Sequence, residues 1–142
     1  MQLRKEGYEM NYERIYQTLK AKLTALSKSA SVLLPNQRST KQQEIEISVS
    51  ITETDSNPYN EDETKHSISI DLLTSVPVSE GTQRIHHIVS KLVAAFDPLQ
   101  QGDFWTDDMQ HFIRIQSVSQ KQANITGNRY QINVRILAII HT

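Results

Sequence analysis

Apolar and polar residues follow two rhythms along this chain. In residues 44–53, Ile45, Ile47, Val49 and Ile51 fall on one side of an extended segment, and Glu44, Glu46, Ser48, Ser50 and Thr52 on the other. That is the period-two pattern of a half-buried strand. Residues 66–74 repeat it, with Ile68, Ile70 and Leu72 inward and Ser67, Ser69 and Asp71 outward. Residues 110–119 predict a third strand of mixed character, Ile113 and Ile115 on one face, Phe112 and Val118 on the other. The last strand, 129–141, turns Tyr130, Ile132, Val134 and Ile136 inward against Gln131, Asn133 and Arg135. From Leu137 to Ile140 both of its faces become apolar, which calls for cover on both, by this chain or by another.

The second rhythm is helical. Residues 11–27 carry Ile15, Leu19, Leu23 and Leu26 as one stripe, flanked by Tyr12 and Tyr16. Asn11 is a suitable N-cap type and Glu13 favours the dipole of the first turn. In residues 79–96, Ile85, Ile88, Val89, Leu92, Val93 and Phe96 make a broad apolar face, begun after Pro77 and closed by Pro98. Three stretches lack a period: 28–43, where Val32-Leu33-Leu34 is a short extended piece; the acidic 54–64; and 97–109, which holds Phe104 and Trp105 among acids. The order helix, strand, strand, helix, strand, strand predicts an α+β fold. The expected form is a two-layer sandwich, a mainly antiparallel sheet of about four strands with both helices on one face.

A chain of 142 residues is sized for one domain. The expectation is a flexible extension over 1–9 and a single domain over 10–142. Its charged start lacks the apolar run of a secretory leader, and no stretch approaches the length of a membrane-spanning helix; both fit a cytosolic chain. There is no cysteine, so disulfides, thiolate metal sites and a cysteine nucleophile are excluded. The four glycines are too dispersed for a phosphate-cradling loop.

The net charge of −1 conceals segregation. Residues 1–43 hold eight Lys/Arg and three Asp/Glu, residues 44–108 three and thirteen, and residues 109–142 four and none. Such asymmetry fits self-association or a charged partner.

Catalytic chemistry finds no anchor. His86 and His87 are adjacent and point about 100° apart on a helix, so they do not share a metal as an i, i+4 pair does. The run from Asp55 starts like a calcium loop, but it lacks the sixth-position glycine and has His66 where the closing glutamate belongs. No G-x-S-x-G occurs. The expectation is no catalytic set, no cofactor and no metal.

Residues 10–19 (MNYERIYQTL), 66–74 (HSISIDLLT), 81–96 (GTQRIHHIVSKLVAAF) and 130–140 (YQINVRILAII) together resemble the tail terminator, or tail completion, proteins of long-tailed bacteriophages. The resemblance implies a structural protein of the virion, assembled in the host cytoplasm and placed at the head-proximal end of the tail. Such proteins form a homohexameric ring. The ring caps the tail tube, stops its polymerisation and joins the tail to the head connector, and DNA passes through it without sequence-specific binding. Implied partners are further copies of the chain, the tail tube protein and a connector or neck protein, with no membrane. Arg135, Leu137 and Ile139 are expected at the subunit contact. Asp55, Tyr59, Glu61, Asp62, Glu63, Phe104 and Trp105 are expected at the tube or connector contact. A second reading is another phage neck protein or assembly chaperone; a third is a small α+β enzyme.

Overall fold

A computed structural model of the chain describes residues 12–38, 44–54, 65–100 and 102–141. The predicted extension over 1–9 lies outside the described residues. Helix α1 spans Tyr12–Leu26 and leads to strand β1, Ala30–Leu33. Strands β2, Ile45–Glu53, and β3, Lys65–Pro77, follow, then helix α2, Thr82–Phe96. The chain ends with β4, Phe104–Trp105; β5, Phe112–Gln120; β6, Asn124–Thr126; and β7, Arg129–His141.

All seven strands join one sheet in the order β1-β2-β3-β7-β5-β4, with β6 also paired to β7. The sheet is mixed, because β1 runs parallel to β2, and it is curled into a half-barrel. This corrects the expected two-layer sandwich of about four strands. The physical reason is twofold. β1, β4 and β6 are four, two and three residues long, too short to carry a period of their own. They are strands because their backbone groups pair with a long neighbour, which side-chain pattern does not report. The long neighbours, β3 and β7, pair over thirteen residues each, and a right-handed twist accumulated over that length curls the sheet.

A bulge sharpens the bend and explains the mixed faces of β5. The β5–β7 register shifts between Ile115 and Ser117, so Gln116 is the extra residue and the side-chain parity reverses after it. Val118, opposite Ile136, returns to the core face with Ile113 and Ile115. Phe112, before the bulge, stays on the other face.

The core lies on the side occupied by both helices. Ile15, Leu19 and Leu23 of α1 and Ile85, Ile88, Val89, Leu92 and Phe96 of α2 pack in one cluster with the inward residues of β2, β3, β5 and β7. Within β3 and β7 these residues face each other in register: Ile68 with Ala138, Ile70 with Ile136, Leu72 with Val134 and Thr74 with Ile132. Thr74 is wholly buried, and its hydroxyl has no hydrogen-bond partner among the described residues.

Local chemistry sets the element ends. After Pro77 the chain makes a 3-10 turn, Val78–Glu80, and Gly81, at φ 75°, precedes α2. Ser79, the first residue of the expected helix, is inside that turn, and α2 starts at Thr82. Beyond the end of β1, Tyr16 takes over the edge of β2: its hydroxyl accepts the Ile51 N–H at 2.8 Å. The β4–β5 connection closes through Thr106, whose N–H donates to the His111 carbonyl at 2.9 Å and whose Oγ1 accepts the His111 N–H at 3.1 Å. This turn is tied to α1 by Arg14, 3.3 Å from Asp107 and 3.6 Å from Asp108, and by the Asp107 N–H donated to Thr18 Oγ1 at 3.1 Å. Exposed ion pairs of this kind contribute little because solvent screens them, so α1 is held chiefly by its buried leucine and isoleucine side chains.

Gly102 is fixed by contact rather than by torsion. A Cβ there would stand 2.5 Å from the carbonyl carbon and oxygen of Phe96. Neither backbone atom can swing away as a side chain would. Gly102→Ala is therefore expected to cost about 1–3 kcal/mol, read as a lowered midpoint in urea denaturation. Thr74→Val, which removes a buried unpaired hydroxyl while keeping volume, should leave that midpoint unchanged or raise it.

His111 yields a pH prediction. Burial pushes its imidazole below the ordinary value; nearby Asp108 opposes this and His66 adds to it. Because the folded chain resists taking up the proton, the unfolded chain binds more protons once pH falls below about 6.5. His111 therefore favours folding above that value and loses its contribution as pH drops through it. Between pH 7.5 and 5, His111→Gln should show a shallower fall in denaturation midpoint than wild type.

Candidate interaction surface

The sheet face opposite the helices is covered by no other described element, and its pattern follows from strand register. Side chains at odd positions of β3 and β7 point to it, and directly opposed residues form rows across the strands. One row runs Ser50, Asp71, Arg135, Ser119. The next runs Thr52, Ser69, Leu137, Ser117, and beyond it Ser67, Ile139 and Arg114. The outermost row holds Lys65, His141, Phe112 and Trp105. The face thus grades from polar at β2 and β3 to aromatic at the β4 edge.

Asp71 organises the polar part. Its Oδ1 accepts from Asn133 Nδ2 at 2.9 Å and Arg135 Nε at 3.0 Å, and its Oδ2 accepts from Ser69 Oγ at 3.4 Å. Partial burial alone would raise this carboxyl. The hydrogen bonds from Asn133 and Arg135, the Arg135 charge and the Ser69 hydroxyl outweigh it and hold the carboxyl below its usual range. Asp71, Asn133 and Arg135 line a shallow depression of about 350 Å³ together with residues 48–50 and Leu73. A second polar clasp sits at the far end of β3. Arg129 Nε donates to Ser75 Oγ at 2.6 Å, and its Nη2 donates to the carbonyls of Glu44 at 2.6 Å and Ser75 at 3.1 Å. This joins β7 and β3 to the start of β2.

The apolar part is a ladder of rings. Trp105 and Phe112 have centroids 5.1 Å apart, and Phe112 and His141 6.3 Å apart. Trp105 is 49% exposed and Leu137 38%. Aromatic side chains left open in a contiguous strip mark interaction surfaces more often than isolated ones do.

Arg135, Leu137 and Ile139, expected at a subunit contact, come together on this face along β7. Phe104 and Trp105 separate: the backbone alternation of β4 sends them to opposite sides. Phe104 faces the core, edge-on to Phe96 at 6.1 Å, with Lys22 Nζ 5.2 Å from its ring centroid. Trp105 alone reaches the open face. Asp55, Tyr59, Glu61, Asp62 and Glu63 lie outside the described residues. Phe112, Arg114, His141, Asn133 and Asp71 join the surface without having been expected there. The outward half of each strand's alternation contained the signal, but only the register places them beside one another. No group of three or more His, Asp or Glu suited to a metal occurs among the described residues.

No family model matches the chain, and no curated protein matches it. Ten solved chains do match. One of them superposes with a TM-score of 0.68 at 13% identity, over 94% of this chain and 98% of its own length, and its name carries no functional information. The likeness establishes a shared fold.

The Asp71 cluster makes a measurable contribution at acid pH. A carboxyl held below its unfolded value favours the folded state at neutral pH, and the effect is lost as pH falls from about 4 through the lowered folded value. Asp71→Asn should lower the urea midpoint at pH 7 and narrow its difference from wild type at pH 3.

Proposed function

We propose that this chain is a ring-forming structural subunit of the tail-terminator kind, acting at the head-proximal end of a bacteriophage tail. In this reading the ring caps the tail tube, ends its polymerisation and presents a surface to the head connector. The observation that carries it is the open strip on β7 and its neighbours. Leu137, Ile139, Phe112 and Trp105 stand on a sheet face that no described element of the same chain covers. A face of this composition, with Arg135 and Arg114 among the apolar groups, matches the core of a protein interface better than a solvated surface. The resemblance of residues 10–19, 66–74, 81–96 and 130–140 to tail terminators supplies the kind of assembly.

A ring requires a heterologous contact whose rotation closes. The strip is then one half of each contact, and the other half is a different surface of the next subunit. Covering Ile139 and Leu137 supplies the apolar contribution, and Arg135, held in place by Asp71, supplies direction.

Light scattering over a concentration series, with negative-stain imaging, tests this. The expected species is a closed ring near roughly 98 kDa, six copies of the 16.3 kDa chain, formed alone or on addition of tail tube protein. Ile139→Asp, with folding checked by circular dichroism, should abolish the ring. Rings that survive this substitution would remove β7 from the contact, and a chain that neither forms rings nor caps tube protein would overturn the reading.

A further inference from the structure

The ring ladder has a chemistry that selects its cover. Trp105, the only tryptophan of the chain, packs on Phe112, which packs on His141, and the strip continues through Ile139 to Leu137. Two guanidinium groups stand on it. Arg114, opposite Ile139, is exposed and makes no ion pair among the described residues. Arg135 spends its Nε on Asp71, and its two terminal nitrogens make no hydrogen bond or ion pair among the described residues. Lys65 lies at the end of the outermost row, beside His141. Of the nearby carboxylates, Asp71 is engaged by its three donors and Asp103 by the Ile115 N–H at 2.7 Å, and Glu46 stands at the far end of the face, opposite Ser75.

Aromatic groups with arginines invite either a nucleic-acid strand or a protein. Ile139 and Leu137 offer no stacking plane to bases, whereas a protein segment can cover them. A protein segment that is acidic and carries an aromatic suits both parts of the strip, its carboxylates the guanidinium groups and its aromatic and aliphatic groups the apolar surface. This sequence contains one. Residues 55–64 include Asp55, Glu61, Asp62 and Glu63 with no Lys or Arg, together with Pro58 and Tyr59.

We infer that the 55–64 segment of a second copy of this chain docks on the open strip. Its carboxylates meet Arg114 and the terminal nitrogens of Arg135, and Tyr59 and Pro58 cover Trp105 and Phe112. The assignment rests on the ring reading above, in which each subunit offers one face and one segment, and it names the two halves of that heterologous contact. It also accounts for a chain of nearly zero net charge that separates its acids from its bases: the two halves attract between copies.

The test uses the full chain and its single tryptophan. Wild type is followed over a concentration series by light scattering and by tryptophan emission. Mass and a blue shift of the emission should rise together as Trp105 is covered. Arg114→Glu alone, or Glu61→Lys, Asp62→Lys and Glu63→Lys together, should raise the concentration needed for association about tenfold or more. The face variant mixed with the segment variant, or both sets of changes in one chain, should restore association and blue shift, because the signs are again opposite.

Association of the segment variant at wild-type concentrations would overturn the assignment, as would a rise in mass with no change in emission. A blue-shifted emission independent of concentration would mean that the chain covers its own tryptophan, and would overturn it too. Rings that ignore the segment's charge would leave the ring reading standing and remove this contact. A wild type that forms no ring, alone or on tail tube protein, would remove both.

Discussion

The antiparallel pairing of β3 with β7 is the constraint on which the rest of the molecule depends. Thirteen consecutive residue pairs, from Lys65 with His141 to Pro77 with Arg129, run through the middle of the sheet. Their register decides both faces at once. It sets Ile68, Ile70 and Leu72 against Ala138, Ile136 and Val134 under the helices, and it sets Asp71 against Arg135 and Ser67 against Ile139 on the other side. A slip of one residue would exchange the two sets and bury charge in the core. The Asp71 cluster penalises such a slip from the open face, since the directly opposed Arg135 and the nearby Asn133 both donate to one carboxylate oxygen. Arg129 does the same at the far end by binding Ser75 and the Glu44 carbonyl.

From this pair the sheet grows outward by different means on each side. β2 adds on one flank through its own strong alternation, and β1 covers the first half of β2's outer edge. Tyr16 completes that edge from α1. On the other flank β5 is bent by its bulge, and the two-residue β4 closes the sheet. The turn from Thr106 to His111, clipped to α1, holds β4 in place. Trp105 therefore stands on the open face because a short strand is fixed from behind by a helix, and its ring leans on Phe112 rather than on the core.

The long elements were legible because each carries its own period. The inward residues of β2, β3 and β7, and the apolar stripes of both helices, read directly from the chain. The short strands were not legible, since a two- to four-residue strand is defined by a partner's backbone and not by its own side chains. The bulge in β5 also escaped, as one extra residue breaks alternation in a way that mimics a weak strand. For the surface, the double-sided apolarity of 137–140 pointed to β7, and the register puts Leu137 and Ile139 on its open side. Phe104 and Trp105 looked equivalent in a loop, yet alternation within β4 divides them between core and surface. Phe112, Arg114 and His141 became visible as a group only through cross-strand register, which no local pattern encodes.

The proposed ring buries the open face of β7 and β5 between copies of the chain. Hydroxyl-radical footprinting at low and high protein concentration measures this at the side chains themselves, with Leu99, 92% exposed and not part of the strip, as the internal reference. Labelling of Leu137, Ile139, Phe112 and Trp105 is expected to fall together as concentration rises while that of Leu99 stays constant. Equal labelling of the strip at both concentrations, with self-association established in the same samples, would contradict it and move the contact to another face.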